Sequence, residues 1–327
     1  MAATSRDVAR ACDVSVATVS RAFSESGAVA PATRRRILAE AERLGYSPDP
    51  AARRLITGRS GNIGLIVPDI ANPFFADAVK GVEREAWVAR LGLFISDTDE
   101  QDQLEPEAFH RMCRQVDGLI WSSPRNPDET LRGFAGAVPI VLLHRRLEGW
   151  WSVSTDLADG MRQALVNLYS LGHRRIAYAD GPRRSWSGQQ RLAGLDQTSA
   201  ELGIDVRRLG TFAPNVDGGS VAADVALATD ATALITYNDA IALGVLSRLA
   251  ARGVTVPGHL SVVSFDDIAY ASLATPPLTT VHVPRHEAGA AAVTLLQELM
   301  RTPDAPPITT VLPTQLVIRR TTGEPRA

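Results

Sequence analysis

Apolar and polar positions follow two textures along the 327-residue chain. Up to about residue 58 the spacing is helical and comes in short pieces. Val8, Ala9, Ala11 and Cys12 supply the apolar side of a first helix, and Thr4 with Asp7 gives the capping-box spacing that starts it. Asp13-Val14 leaves room only for a tight turn before Ser15 caps a second helix. A third is predicted over Pro31 to Leu44, with Ile37, Leu38, Ala41 and Leu44 on one face and Gly45 stopping it. Its start is weakly capped, because Ala30 stands where a serine would serve better. "SPDPAARRLITGRS", Ser47 to Ser60, then reads as a two-turn helix, with Asp49 as cap, Pro50 at its first position and Gly58 beyond its end. So short a helix does not persist alone in water, which makes it a hinge that needs a partner.

From Asn62 onward the pattern changes. "NIGLIVPD", "GLFISDTD", "GLIWSSP" and "PIVLLH" read as strands, separated by amphipathic stretches such as "FFADAVKGVEREAWVARL". The alternation then repeats with "RIAYADG", "RLGTFAP", "ALITYND" and "LSVVSFDD". Strand and helix alternating twice over imply two parallel-sheet α/β lobes. Open sheets of this kind bind ligands beyond the carboxyl ends of their strands, so the natural site is the cleft between the lobes.

The second helix is a poor helix former. "DVSVATVSRAF" is rich in β-branched residues and serines, which propensity disfavours. It gains a purpose as the second half of a helix-turn-helix, in which Ala9 lets it approach the first helix while Val14 and Val19 pack inward. Ser15, Val16, Ala17, Thr18, Ser20 and Arg21 remain for capping and outward display. Their shortness suits a major groove about 12 Å wide, where methyl groups meet thymine and an arginine grips guanine.

Charge supports this division. Residues 1–60 hold ten arginines against six acids, a net +4, while the rest of the chain carries −6. A basic head on an acidic body fits a polyanion partner, although a solvated arginine-rich helix is the plainer alternative. Cys12 and Cys113 are isolated and imply neither a disulfide nor a metal site. No apolar run reaches bilayer-spanning length, so a cytoplasmic, nucleoid-associated protein without membrane contact is expected.

The segments "DVARACDVSVATVSRAF", "RRRILAEAERLGYSPDPAARRL", "GLIVPDIANPFF", "LGHRRIAYADG", "RLAGL", "ALITYNDAIALGVL" and "VSFDDIAYASLATPPLTTV" occur in the order found in the lactose-repressor/galactose-repressor (LacI/GalR) family of bacterial transcription regulators. The chain resembles that family over nearly its whole length. The resemblance implies an α/β fold: a helix-turn-helix DNA-binding domain over 1–46, a hinge helix and linker over 47–60, and a periplasmic-binding-protein-like effector and dimerisation domain over 61–327. Within the last, the N-lobe would take about 61–156 and 285–310, and the C-lobe about 157–284 and 311–327.

It further implies that Val16, Ala17 and Arg21 read bases, with Ser15, Thr18 and Ser20 as phosphate or capping groups. Leu55 would wedge into the minor groove beside Ala52 and Arg53, in homodimers bound to pseudopalindromic operator DNA. Two departures stand here. Asp13 replaces the turn glycine, placing a left-handed backbone on a residue that tolerates it. Asp49 replaces the usual asparagine before the hinge and would weaken phosphate contact there.

For the cleft, the positions matching family ligand contacts are Asn72, Phe74, His144, Ser185, Ser187, Arg191, Phe212, Asn238 and Asp266. Amides, carboxylate, arginine and aromatic faces together suit a carbohydrate effector. Phe74 and Phe212 could equally be core residues, and Asp266 could cap the helix that follows it. His144 stands where many relatives carry aspartate. In "HRR" it would make the rim cationic and favour an acid-bearing sugar, or it is a hydrogen-bonded surface histidine.

Rival classes are an enzyme and a secreted sugar-binding protein. The chain carries no G-x-G-x-x-G after a strand, no G-x-S-x-G elbow and no metal-ligand spacing. No catalytic residue, cofactor or metal is therefore assigned. A basic head stands where a secretion signal would be. The expected protein is a ligand-controlled repressor, not an enzyme.

Overall fold

The computed structural model describes residues 3–23, 29–46 and 59–326, in two compact units divided between Gly61 and Asn62. The first unit holds α1 (Ser5–Ala11), α2 (Val16–Ala22) and α3 (Pro31–Leu44). The Asp7 carboxylate reaches back to the backbone N–H of Thr4 at 2.9 Å and to its hydroxyl at 2.7 Å, which fixes the start of α1. Asp13 turns the chain with φ 47°, and the Val14 N–H closes that turn on the Ala9 carbonyl at 3.0 Å. Val8, Ala9, Cys12, Val19, Ala22, Ile37 and Ala41 form the buried core. Two of the basic residues are structural: Arg34 Nε donates to the Ala22 carbonyl and Arg36 to the Cys12 carbonyl, each at 2.9 Å. They serve carbonyls at the C-terminal ends of α2 and α1, where the helix itself supplies no donor. Leu38 departs from expectation: it is exposed, because the buried stripe of α3 is only as wide as Ile37 and Ala41.

The second unit contains two six-stranded sheets. The first has order β11-β5-β4-β3-β1-β2, built from β1 (Asn62–Val67), β2 (Gly92–Asp97), β3 (Gly118–Ser122), β4 (Ile140–Leu143), β5 (Trp151–Thr155) and β11 (Thr309–Leu312), all parallel. The second has order β12-β10-β9-β8-β6-β7, built from β6 (Arg175–Asp180), β7 (Asp205–Thr211), β8 (Ala233–Thr236), β9 (Ser261–Asp266), β10 (Thr279–His282) and β12 (Gln315–Val317). Only β12 runs antiparallel in it. Central strands such as β3, β8 and β9 are buried along their whole length, as strands covered on both faces must be.

The covering helices are α4 (Pro73–Val88), α5 (Glu105–Cys113), α6 (Asp128–Arg132), α7 (Leu157–Ser170), α8 (Trp186–Leu202), α9 (Val216–Leu227), α10 (Asp239–Ala251), α11 (Ala269–Leu273) and α12 (Arg285–Arg301). The chain passes between the sheets three times: after β5, after β10 and between β11 and β12. No helix among the described residues is long and apolar enough to cross a membrane.

Candidate functional site

In the head, α2 divides its short side chains by direction. Val19 and Ala22 point into the core, while Val16 (43% exposed), Ala17 and Arg21 face outward. The Ser15 hydroxyl accepts from the Thr18 N–H at 3.1 Å and shares a 2.8 Å hydrogen bond with the Thr18 hydroxyl, so both residues hold the first turn of the helix. Thr18 and Ser20 are half-buried flanks of the displayed strip. Ala52, Arg53 and Leu55 lie outside the described residues, as does the rest of 47–58.

The predicted effector residues gather where the strands end. Asn72 follows β1, His144 follows β4, Ser185, Ser187 and Arg191 follow β6, Phe212 follows β7, Asn238 follows β8, and Asp266 ends β9. Several have a structural task as well. Asn72, Ser185 and Asn238 are the caps of α4, α8 and α10, accepting from Phe74 N, Gly188 N and Ile241 N at 3.0, 3.1 and 3.0 Å. The Ser185 hydroxyl also meets the Tyr237 hydroxyl at 2.9 Å. Phe212 is half-buried against the core cluster beside β8, and the buried Phe74 packs with C-lobe residues, so both rings take part in core packing at the strand ends.

The floor is ionic. Arg191 donates to the Tyr237 carbonyl at 2.7 Å and pairs with Asp266 at 3.3 Å, with its guanidinium stacked 4.6 Å from both the Tyr237 and Phe265 rings. Asp266 therefore does not cap the next helix; Ile268 occupies that position without a side-chain bond. Burial pushes the Asp266 carboxyl above its ordinary range against the pull of Arg191 and Arg285. Buried Asp239 is pushed up as well, by desolvation and then by the Asp266 charge. It accepts from the Thr280 hydroxyl at 2.6 Å and the Ile268 N–H at 2.9 Å. Arg285 donates to the Asp266 carbonyl and pairs with Asp77 at 3.2 Å. Tyr237, Asp239 and Arg285 escaped the sequence reading. The run "TYND" at a strand's carboxyl end was a usable signal for the first two, whereas Arg285 enters from the second crossover and has none.

His144 corrects an expectation. Its ring is 2% exposed, so it is not a surface histidine. Burial, with Arg285 and Arg191 nearby, pushes its pKa down to about 3, so it adds no positive charge at the rim. Arg145 is consumed internally by Asp128 and the Pro124 and Asn126 carbonyls. Only Arg146 reaches the rim, where its guanidinium lies 5.7 Å from the Trp186 ring centre. That contact joins the lobes, as do the Arg184–Asp102 ion pair and the Ser187 hydroxyl donating to the His144 carbonyl at 3.4 Å.

Ser123, His144, Asp266 and Asp267 all have positive φ (47°, 57°, 112° and 57°) at strand ends facing this cleft. Non-glycine residues held there cost roughly 1–3 kcal/mol each, and such strain gathers at ligand sites.

Residues 4–49 match the model of bacterial regulatory proteins of the lacI family, and residues 166–322 match a periplasmic binding protein-like domain. Catabolite control protein A of Priestia megaterium is 31% identical over 97% of this chain and 98% of its own. A crystal structure of the lac repressor dimer bound to operator and the anti-inducer ONPF superposes with TM-score 0.87 at 27% identity, covering 99% of this chain and 100% of the other. A LacI family transcriptional regulator from Enterococcus faecium with bound ribose aligns at TM-score 0.72 and 26% identity, over 81% of this chain and all of that one. The basic helix-turn-helix head, the two parallel-sheet lobes and likeness at this length together establish that the chain belongs to the LacI family of bacterial regulatory proteins.

Proposed function

We propose that the protein is a homodimeric repressor whose affinity for a pseudopalindromic operator is set by a carbohydrate or sugar derivative bound between its lobes. The observation that carries this reading is the convergence of Asn72, His144, Arg191, Asn238 and Asp266 at the strand ends of both sheets, mixing donors, acceptors and aromatic faces. A ligand that favours one closure of the lobes shifts the balance between DNA-binding and released forms. A coupling of about 1–3 kcal/mol suffices for a 5- to 150-fold change in affinity. The ribose held by the Enterococcus relative supports the ligand class, and the operator held by the lac repressor supports the DNA partner.

Arg21 is the one outward-facing α2 side chain able to make bidentate base contacts; Val16 and Ala17 offer methyl groups. Leu55, Ala52 and Arg53 are assigned minor-groove contact by resemblance alone. The test is operator binding by fluorescence anisotropy, with and without a carbohydrate panel. Release, or tightening, of operator by a panel member is expected; a full panel without effect on an operator that binds specifically rejects the sugar-controlled reading. Arg21→Ala should lose about 1–3 kcal/mol of discrimination per half-site. Equal losses on cognate and base-substituted operators would assign Arg21 to phosphate instead.

A further inference from the structure

Resting on the reading of the cleft as an effector site, we propose that Asp180 is a further effector-binding residue, whose carboxylate accepts a sugar hydroxyl and restricts the site to uncharged sugars, excluding phosphorylated and acidic ones. Asp180 ends β6, two residues after Tyr178, so both side chains leave the same face of the sheet. It stands against the first turn of α8. A Cβ on Gly188 would lie 3.7 Å from Asp180 Oδ1, and Arg191 follows Gly188 by three residues on that helix face. Arg191 accordingly acts electrostatically on the Asp180 carboxyl.

Among the described residues, two donors reach this carboxylate: the Gly181 N–H at 2.8 Å and the Tyr178 hydroxyl at 3.3 Å. Both go to Oδ1, which leaves Oδ2 open to a donor from outside the chain. Burial raises the carboxyl from its ordinary range, outweighing those two donors and the Arg191 and Arg208 charges. A hydroxyl donated to Oδ2 favours the ionised form, whereas a second negative charge beside it works against it.

The cations of the cleft decide against an anion, because they are already committed. Arg285 donates to Asp77 and to the Val283, Asp266 and Asp267 carbonyls. Glu100 holds Arg125 through contacts of 2.9 and 3.0 Å, and Asp128 with two carbonyls holds Arg145. Arg191 places Nη1 on the Tyr237 carbonyl and Nη2 on Asp266. None of these buried guanidiniums keeps the two parallel donors that grip a carboxylate or phosphate. At the rim Arg184 pairs with Asp102, and Arg146 is exposed, so water screens it. His144 is neutral. What remains are single polar atoms. Arg191 Nε, His144 Nε2 and Ser122 Oγ are sealed from solvent and make no hydrogen bond. Arg191 Nε can only donate and the Asp180 carboxylate can only accept. A sugar hydroxyl does both, whereas an oxyanion only accepts.

Calorimetric titration of the full chain tests this with D-ribose, D-galactose and D-glucose, each beside its phosphate monoester, and with the two hexoses beside their uronic acids. At least one parent sugar is expected to bind, with its charged forms weaker on the order of tenfold or more. Asp180→Asn replaces a charged acceptor by a neutral one of the same size, so it should weaken the parent about tenfold. It should also narrow the gap between the parent and its charged forms on the order of tenfold. Exclusion by bulk alone would leave that gap as it is. Operator binding verifies that the variant is folded, and the wild-type affinities decide the charge class without it. A charged form that binds wild type as tightly as its parent overturns the proposal while the effector reading stands. A gap unchanged in Asp180→Asn overturns it too. If no compound binds, the effector reading falls and the proposal falls with it.

Discussion

His144 shows how a single side chain carries information that its letter hides. Its pKa of about 3 means the folded protein leaves the imidazole neutral, while the unfolded chain protonates it near pH 6.5. Below pH 6.5 the unfolded state therefore binds the extra proton, and the contribution of this residue falls as pH drops from about 7 toward 3. Asp239 and Asp266 work in the opposite direction. Their carboxyls are raised in the fold, so their contribution falls as pH rises above the ordinary carboxyl range. Total stability mixes the two effects, but the difference between wild type and His144→Asn isolates the imidazole. That difference should move against wild type by about 1.4 kcal/mol for each pH unit below 6.5. Urea unfolding of both proteins at pH 5, 6 and 7 measures it, and a difference independent of pH would contradict the buried neutral ring. The strand pattern made legible that a site would lie beyond the strand ends, whereas Asn72, Arg191, Asn238 and Asp266 themselves were named through the family resemblance. The charge state of His144 was not legible, since it depends on burial contributed by Phe74, Arg191 and Arg285 from other elements.

Among elements, the strongly patterned ones were readable and the polar ones were not. All eight predicted strand segments correspond to β1–β4 and β6–β9. "WSVST", which is β5, mixes serines and threonine into a strand buried on both sides. It survives there because Ser154 accepts from Arg146 Nε at 2.7 Å and Ser152 meets the hydroxyl of Thr309, a partner distant in sequence, at 3.1 Å. β11 and β12 are short pieces that are strands only because a sheet edge receives them. Helix pairing had a sequence signal of a different kind. α9 and α10 approach backbone to backbone: a Cβ on Gly219 would lie 2.1 Å from the Ile241 carbonyl oxygen, and one on Gly244 would lie 2.0 Å from that of Val216. No rotamer relieves a clash with backbone, so Gly244→Ala must push the helices apart and loosen the alanine-rich core beneath them. A loss of about 1–3 kcal/mol is expected. The urea midpoint of the C-lobe, followed by hydrogen exchange across 233–249, is the readout; a midpoint within error of wild type would refute the close approach.

At the scale of the whole molecule, one head by itself is not enough. A seven-residue recognition helix presenting two small apolar side chains and Arg21 offers little base discrimination by itself. Two heads joined in one dimer bind the second half-site as an intramolecular event, at an effective concentration in the millimolar range. The face proposed to join the two copies is the C-terminal end of α4 with edge strand β2. There Trp87 and Val88 are 78% and 69% exposed, and Phe94 and Ile95 also face solvent. Apolar side chains beside an unpaired strand edge are costly to leave open, and a second copy related by two-fold symmetry covers both at once. Lys80, Glu83 and Arg84 on the same helix supply both signs of charge, which a two-fold contact can pair across the axis. Trp87→Arg places two like charges near that axis and removes the largest apolar side chain from it. The variant should sediment as a monomer at micromolar concentration and bind a full operator on the order of 100-fold more weakly, with its affinity for an isolated half-site unchanged. Retention of the dimer by sedimentation would move the interface elsewhere on the lobes. Loss of half-site affinity together with full-site affinity would instead mean that the substitution had damaged the fold.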